Sequence, residues 1–231
     1  MAHMCGSFFC LKILDNSLAG NITALKVQKK DKSRVNVYLD GEYAFAVTVN
    51  VALNLKKGQY LTDAEINQFQ VDDAVHKAYQ RAIRYLGYRP RTKREVQQYL
   101  IGKDIPEAVV ELVIEQLIER EYVDDAAFGQ IWVESRTNHN PKGARALRHE
   151  LRQKGLKTSD IDHALEDLDE ESLAWQAVQK KLKSWKRLDE LTLKRKLTSY
   201  LSYRGFGYDI IGQIYSRIWE DREENDEKGN K

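Results

Sequence analysis

Residues 147–156 read LRHELRQKGL, and this stretch shows how most of the chain is built. Leu147 and Leu151 lie four residues apart, which places both side chains on one face of a helix. Gly155 suits the left-handed turn that commonly ends a helix. Leu156 follows that turn and can hold the next helix against the same core. The stretch therefore predicts a short amphipathic helix, a tight turn and a second helix.

The same apolar spacing occurs three times, at intervals of 51 and then 50 residues. The matching residues are Val96, Leu100, Ile105, Val110, Ile114 and Leu117; Leu147, Leu151, Leu156, Ile161, Leu165 and Leu168; and Leu197, Leu201, Phe206, Ile211, Tyr215 and Ile218. The turn 154–156 aligns with 204–206, and Pro90-Arg91 aligns with Pro141-Lys142. Six matching positions in two independent comparisons indicate internal repeats.

Each repeat is predicted to contain three helices, which in the first repeat cover residues 74–86, 93–103 and 107–120. Pro106 suits the first position of the third helix, where its missing N–H costs nothing. An acidic pair, at 72–73, 124–125 and 169–170, is expected to cap the helix that opens each repeat. Because such units bury their faces partly against neighbours, we expect an elongated, curved array with a long concave surface.

A small antiparallel β domain is predicted before the repeats, over residues 21–62. Asp40-Gly41 is a strong signal for a two-residue hairpin. About three strands are expected, and they need an apolar cover that residues 51–55 or 63–69 can supply. Thr62 and Glu65 match a capping box that starts a helix near residue 63. The candidate strands cover residues 22–29, 34–39 and 43–49.

The predicted fold class is therefore mainly α, with three tandem three-helix repeats after this small β domain. A helical linker is expected at 63–72, and the repeats at 73–123, 124–168 and 169–219. Residues 1–20 are interpreted as a vector remnant and a disordered start. Residues 220–231 contain six acidic and three basic residues. No apolar residue follows Trp219, so this tail is expected to be disordered.

Composition excludes several classes of protein. The 231 residues are 42% hydrophobic and 31% charged with only 3 Pro, which argues against collagen-like and low-complexity chains. No apolar run approaches the ~20 residues of a membrane-spanning helix, and no segment fits a signal peptide. We therefore expect a cytoplasmic protein without a membrane partner. Cys5 and Cys10 fit no common zinc site, no second Cys/His pair follows them, and they are interpreted as incidental thiols.

Catalysis finds little support in the sequence. His149 and His163 have no Cys or second His at metal-ligand spacing. Gly205-Phe206-Gly207 lacks the Lys-Ser/Thr continuation of a phosphate-binding loop. Asp124-Asp125 is better interpreted as a helix cap than as a catalytic carboxylate pair. We therefore predict no enzyme activity, no metal and no cofactor.

Basic residues are the strongest functional candidates, because residues 77–157 contain 16 Lys/Arg against 11 Asp/Glu. Arg145, Arg148 and Arg152 have i, i+3, i+7 spacing and form one helical stripe. A basic set that recurs in register suits phosphates or an acidic protein groove. The full set is Arg81, Arg84, Arg89, Arg91, Lys93, Arg94, Arg136, Lys142, Arg145, Arg148, Arg152, Lys154, Lys194, Arg195 and Lys196.

Three stretches, 82–92 (AIRYLGYRPRT), 121–128 (EYVDDAAF) and 147–155 (LRHELRQKG), resemble those of RecX regulatory proteins. The resemblance covers residues 73–219. It implies three tandem three-helix repeats and a bacterial modulator of the RecA recombinase. Such a protein binds in the helical groove of the RecA–DNA filament. There it typically inhibits strand exchange, ATP hydrolysis and the co-protease activity that triggers the SOS response.

The chain departs from the family pattern in two places. Leu191 stands where the first two repeats have a proline followed by a basic residue. The segment before residue 73 is also longer than in compact members of the family. Two alternatives stay open: an autonomous module of tandem helix-turn-helix-like units that binds single- or double-stranded DNA, and a helical-repeat scaffold for other proteins. We expect a monomer in each case.

Overall fold

The computed structural model describes residues 18–229, and within that range it contains four strands and ten helices. Residues 1–17 of the predicted vector remnant and disordered start, with Cys5 and Cys10, lie outside the described residues. At its end the prediction of disorder is wrong, because the N–H groups of Leu18 and Ala19 donate to Asp63 and Gly20 begins the first strand. The chain divides into two compact units, and the boundary falls between Arg81 and Ala82. Each unit is built around its own buried side chains.

The first unit contains an antiparallel sheet. Its strands are β1 (Gly20–Val27), β2 (Arg34–Leu39), β3 (Glu42–Thr48) and β4 (Tyr60–Leu61), in the order β3-β2-β1-β4. Asp40 and Gly41 have φ values of 48° and 96°, as the predicted hairpin between β2 and β3 requires. The expectation of about three strands missed β4, because two residues are too few to show an alternating apolar pattern.

Both candidate segments cover the sheet. Leu55 follows the short helix α1 (Val49–Ala52) and is buried in the core of this unit. Ile66 belongs to helix α2 (Asp63–Leu86) and is fully buried in the same core. The sheet therefore receives its apolar cover from the segments on both sides of β4.

Helix α2 begins at the predicted capping box and runs unbroken through 24 residues without Gly or Pro. The Asp72-Asp73 pair was predicted to open the first repeat, and that prediction is wrong because both residues lie inside α2. Asp73 instead pairs with the buried Arg34 of β2 and, at 2.7 Å, with Lys77 one turn later. The expected linker and first repeat helix are thus one continuous helix.

The second unit contains three successive three-helix repeats, as predicted. Of the eighteen apolar repeat positions, fifteen are buried and only Ile105, Leu168 and Tyr215 are partly exposed. After the end of α2, its helices are α3 (Lys93–Ile101), α4 (Glu107–Glu119), α5 (Asp125–His139), α6 (Ala144–Lys154), α7 (Thr158–Leu165), α8 (Glu170–Trp185), α9 (Glu190–Tyr203) and α10 (Tyr208–Gly229).

The predicted turns and caps explain where these helices stop and start. Gly155 and Gly205 have φ values of 90° and 87°, so both form the predicted left-handed turns. Asp124 and Asp169 cap α5 and α8, and each carboxylate accepts a backbone N–H three residues later. Pro106 lies one position earlier than predicted, at the N-cap of α4, because its ψ of 140° is extended.

The tail requires a second correction, because α10 continues to Gly229 where disorder was expected after residue 219. The reason lies in Arg222, whose guanidinium donates to the carbonyl oxygens of Trp185 at 2.6 Å and Leu188 at 3.1 Å. These carbonyls lie at the C-terminal end of α8 and beyond it, where backbone partners are few, and the Trp185 carbonyl also accepts the Leu188 N–H at 3.1 Å. A charged side chain thus holds α10 where no apolar residue could.

Candidate functional site

Nine of the fifteen candidate basic residues lie on the second helices of the repeats, α3, α6 and α9. An inter-repeat junction holds the N-terminal end of α3 and that of α6. Between repeats 1 and 2, the Thr92 hydroxyl donates to the Lys154 carbonyl at 2.8 Å, and the Lys93 N–H donates to Asp125 at 2.8 Å. Burial raises the pKa of Asp125 above its usual value near 3.8, although the Lys93 hydrogen bond opposes that shift. Gly155 passes so close to Arg94 that a Cβ would lie less than 3.0 Å from that side chain.

The junction between repeats 2 and 3 has the same design. The Gly143 N–H donates to the Arg204 carbonyl at 3.0 Å, and the Ala144 N–H donates to Glu170 at 2.8 Å. A Cβ on Gly205 would lie less than 3.0 Å from the backbone of Ala146. Each junction therefore joins a glycine turn and an acidic residue to the preceding repeat's second helix.

Several of the predicted site residues form ion pairs within the second unit. Glu95 pairs with Lys154 at 2.7 Å and with Arg89 at 3.2 Å. Glu150 pairs with Arg136 at 3.0 Å and also with Lys142. Each of these two carboxylates therefore pairs with two of the candidate basic residues, and each group keeps a net charge of +1.

Hydrogen bonds lower the pKa of both carboxylates. Burial acts to raise the pKa of Glu95, but hydrogen bonds from Lys154, the Thr92 backbone and Arg89 outweigh it and hold that pKa below its usual value near 4.5. Burial also acts to raise the pKa of Glu150, but hydrogen bonds from Lys142, Arg136 and Trp132 outweigh it and hold that pKa below its usual value near 4.5. Both groups are consequently anionic at neutral pH.

Two further candidates are also occupied. Arg91 stacks on Tyr85, with its guanidinium carbon 3.7 Å from the ring centroid, and donates to the Tyr85 carbonyl and hydroxyl oxygens. Arg148 is half-buried and pairs with Asp162 of α7. The predicted stripe on α6 therefore presents Arg145 and Arg152 to solvent, with Arg148 held against the protein.

Equivalent arginines stand out among the exposed candidates of the second unit. Arg94, Arg145 and Arg195 occupy the same position of α3, α6 and α9, since they are separated by 51 and 50 residues. Arg81 is exposed too but belongs to the first unit. The exposed candidates are Arg81, Arg84, Lys93, Arg94, Arg145, Arg152, Lys194, Arg195 and Lys196, and Arg89 is exposed while paired with Glu95.

A cleft of about 420 Å³ lies where repeats 1 and 2 meet, and the sequence did not predict it. Trp132 lines it, with the Arg136 guanidinium 4.3 Å and the Lys154 ammonium 5.1 Å from the indole ring. The indole N–H donates to Glu150 at 2.9 Å. Only the four-residue spacing of Trp132 and Arg136 on one helix could have signalled this stack from the sequence.

Metal and membrane sites find no support within residues 18–229. No group of three His, Cys, Asp or Glu side chains there could hold a metal ion. None of the helices in that range is long and apolar enough to cross a bilayer.

Four family models match the chain, one after another. They describe the RecX N-terminal domain at residues 20–62 and the first, second and third RecX three-helix domains at 78–117, 124–165 and 169–214. The chain belongs to the RecX family. RecX regulatory proteins are non-enzymatic regulators. Because the RecX N-terminal model covers the sheet, the β domain belongs to the family architecture.

Relatives and solved structures agree with this assignment. The Regulatory protein RecX of Bacillus subtilis is 35% identical over 212 residues, which cover 90% of this chain and 80% of the relative. That of Bacillus pumilus is also 35% identical, over 213 residues, 90% of this chain and 81% of the relative. A crystal structure of regulatory protein RecX superposes with a TM-score of 0.74 at 33% identity, covering 86% of this chain and 100% of that one. The crystal structure of RecX from Lactobacillus salivarius superposes with a TM-score of 0.60 at 26% identity, covering 64% of this chain and 97% of that one.

Proposed function

We propose that this RecX-family chain regulates RecA by binding in the helical groove of the RecA–DNA filament. Bound there, it inhibits strand exchange, ATP hydrolysis and the co-protease activity of RecA. Its place of action is the cytoplasm, where such filaments form. Family membership supports the choice of a regulator over the autonomous DNA-binding module and the protein scaffold.

The equivalent arginines Arg94, Arg145 and Arg195 are the observation that carries the proposal. An exposed charge adds only about 0–1 kcal/mol to folding, so folding alone gives little reason for arginine at the same position three times. Arginine binds phosphates and carboxylates with two parallel hydrogen bonds, and both groups line a protein–DNA filament. Contacts from three repeats add together, since each displaces counterions from its own phosphate.

The direct test measures ATP hydrolysis by RecA on single-stranded DNA while the full chain is added. The proposal predicts that hydrolysis falls as the chain approaches the concentration of RecA, and that chain and filament sediment together. Unchanged hydrolysis at a several-fold excess over RecA would contradict it. Tight sequence-specific binding to duplex DNA without RecA would favour the autonomous module instead.

A further inference from the structure

The exposed face of α9 differs from the corresponding faces of α3 and α6. A groove of about 510 Å³ runs along it, open to solvent. Leu191 and Tyr208 provide its apolar lining. Its polar lining consists of Lys194, Arg195, Thr198, Ser199 and Ser202.

Two exposed tyrosines lie at the end of this groove: Tyr208 lines it, and Tyr203 follows the lining residue Ser202 without lining the groove itself. Tyr203, the last residue of α9, is 91% exposed, and Tyr208, the first residue of α10, is 74% exposed. The positions equivalent to Tyr203 in the first two repeats hold Gly102 and Gln153. Such exposed rings contribute little to the core, so folding does not explain them.

The hydroxyl groups are also specific to the third repeat. Thr198, Ser199 and Ser202 are replaced in the second repeat by Arg148, His149 and Arg152, and in the first by two glutamines and an isoleucine. Hydroxyls beside Lys194 and Arg195 give this face short donors for phosphate oxygens as well as positive charge. The α9 face thus combines phosphate-binding groups with aromatic rings.

We propose that the α9 face binds single-stranded nucleic acid. Lys194, Arg195 and the hydroxyls contact the phosphates, while the bases stack on Tyr203 and Tyr208. Single strands expose the faces of their bases, and stacking on aromatic side chains is their usual mode of recognition. Paired bases in a duplex are already stacked on one another, so a duplex gains nothing from the two tyrosines.

The proposal deepens the proposed function, because it rests on DNA being a direct ligand of the regulator. The following test contains no RecA, so the α9 proposal can fail while the proposed regulation of RecA stands, and the reverse. The full chain is titrated into a fluorescently labelled oligothymidine of about 20 nucleotides, and fluorescence anisotropy is recorded. We expect binding that weakens roughly tenfold or more in the double variant Y203A/Y208A and is kept in Y203F/Y208F, since stacking needs only the ring.

Two controls separate stacking from charge and from folding. The variant Y43A/Y60A removes two exposed tyrosines of the β domain and should bind like the unaltered chain. K194A/R195A should weaken binding and reduce by about 1.4 the steepness with which the logarithm of the binding constant falls with the logarithm of the salt concentration. K180A/K181A removes the same charge from the exposed face of α8 and should reduce that steepness less. Circular dichroism checks that every variant is folded.

An abasic oligonucleotide of the same length isolates the bases. It carries the same phosphates, so the proposal predicts that the unaltered chain binds it as weakly as Y203A/Y208A binds oligothymidine. Equal affinity of the unaltered chain for both oligonucleotides would overturn the stacking assignment. A Y203A/Y208A variant that binds oligothymidine normally but no longer binds RecA filaments would overturn it too, and would assign the face to a protein partner.

Discussion

Gly205 shows at the scale of one residue why the repeats need glycine at their turns. Its φ of 87° costs an L side chain about 1–2 kcal/mol, and a Cβ would also lie less than 3.0 Å from the backbone of Ala146. We expect Gly205→Ala to lower the free energy of unfolding by about 2–5 kcal/mol, because overpacking adds to the backbone cost. Urea denaturation followed by circular dichroism measures the change.

Gly58 is the matched control for that substitution. Its φ is 84°, but nothing lies within 4 Å of the position that a Cβ would take. Gly58→Ala should therefore show the backbone cost alone, about 1–2 kcal/mol. If both variants lost the same free energy of unfolding, the junction between repeats 2 and 3 would accommodate an added methyl group at no cost. That result would contradict the close packing of Gly205 on Ala146.

Asp73 is the second residue whose role can be tested. It neutralises Arg34, and the two side chains are only 13% and 9% exposed. Removing one partner of such a buried pair leaves an uncompensated charge, so Asp73→Ala should destabilise the first unit by about 3–5 kcal/mol. Asp72→Ala removes the neighbouring exposed carboxylate and should cost under about 1 kcal/mol in the same denaturation experiment. A similar cost for both variants would contradict the role of the Arg34 pair.

At the scale of elements, Glu95 and Glu150 link α3, α5 and α6 through their basic partners. Because the pKa of each is lowered in the folded chain, their contribution to stability is present above the ordinary value near 4.5 and is lost as pH falls through the lower folded value. The double variant E95Q/E150Q should therefore lose stability relative to the unaltered chain at pH 7.

The same difference should shrink as the pH is lowered below about 4.5, and thermal melts at pH 7 and near pH 3 measure it. Other carboxylates titrate in both chains, so the comparison between chains isolates these two. A difference in melting temperature that stays constant over this pH range would show that the two ion-pair groups do not stabilise the fold.

Local patterns explain which elements could be predicted from the sequence. Leucine spacing, glycine turns and aspartate caps act within a few residues, so the repeat helices could be placed from the sequence alone. Strand β4 is held by pairing with β1, about 40 residues away, and left no local pattern. The Asp72-Asp73 pair had the composition of a helix start, yet no Gly or Pro interrupts the helix there.

The candidate site was predictable only in part, for a similar reason. The recurrence of Arg94, Arg145 and Arg195 depends on sequence spacing alone. Lys154, in contrast, meets Glu95 across 59 residues, and the partner of Arg148 lies on another helix. Which basic residues face solvent is decided by tertiary packing, and charge counts along the chain do not contain that information.

At the scale of the whole molecule, some basic residues hold the repeats together and others are available to a partner. Lys154, Arg136 and Lys142 pair with glutamates inside the second unit. Arg94, Arg145 and Arg195 are exposed on successive second helices. The stem of Arg94 also packs against the Gly155 turn. If the proposed function is correct, substituting the second group should therefore change binding far more than folding.

Inhibition of RecA by the triple variant R94A/R145A/R195A tests this claim most directly. The control K180A/K181A/K183A removes the same charge from exposed positions of α8. We predict that R94A/R145A/R195A keeps its melting temperature within a few degrees but needs roughly tenfold more protein to halve ATP hydrolysis on single-stranded DNA, with a weaker dependence on salt. The control should inhibit like the unaltered chain. A folded R94A/R145A/R195A that inhibits RecA as well as the control at near-physiological salt would contradict the account.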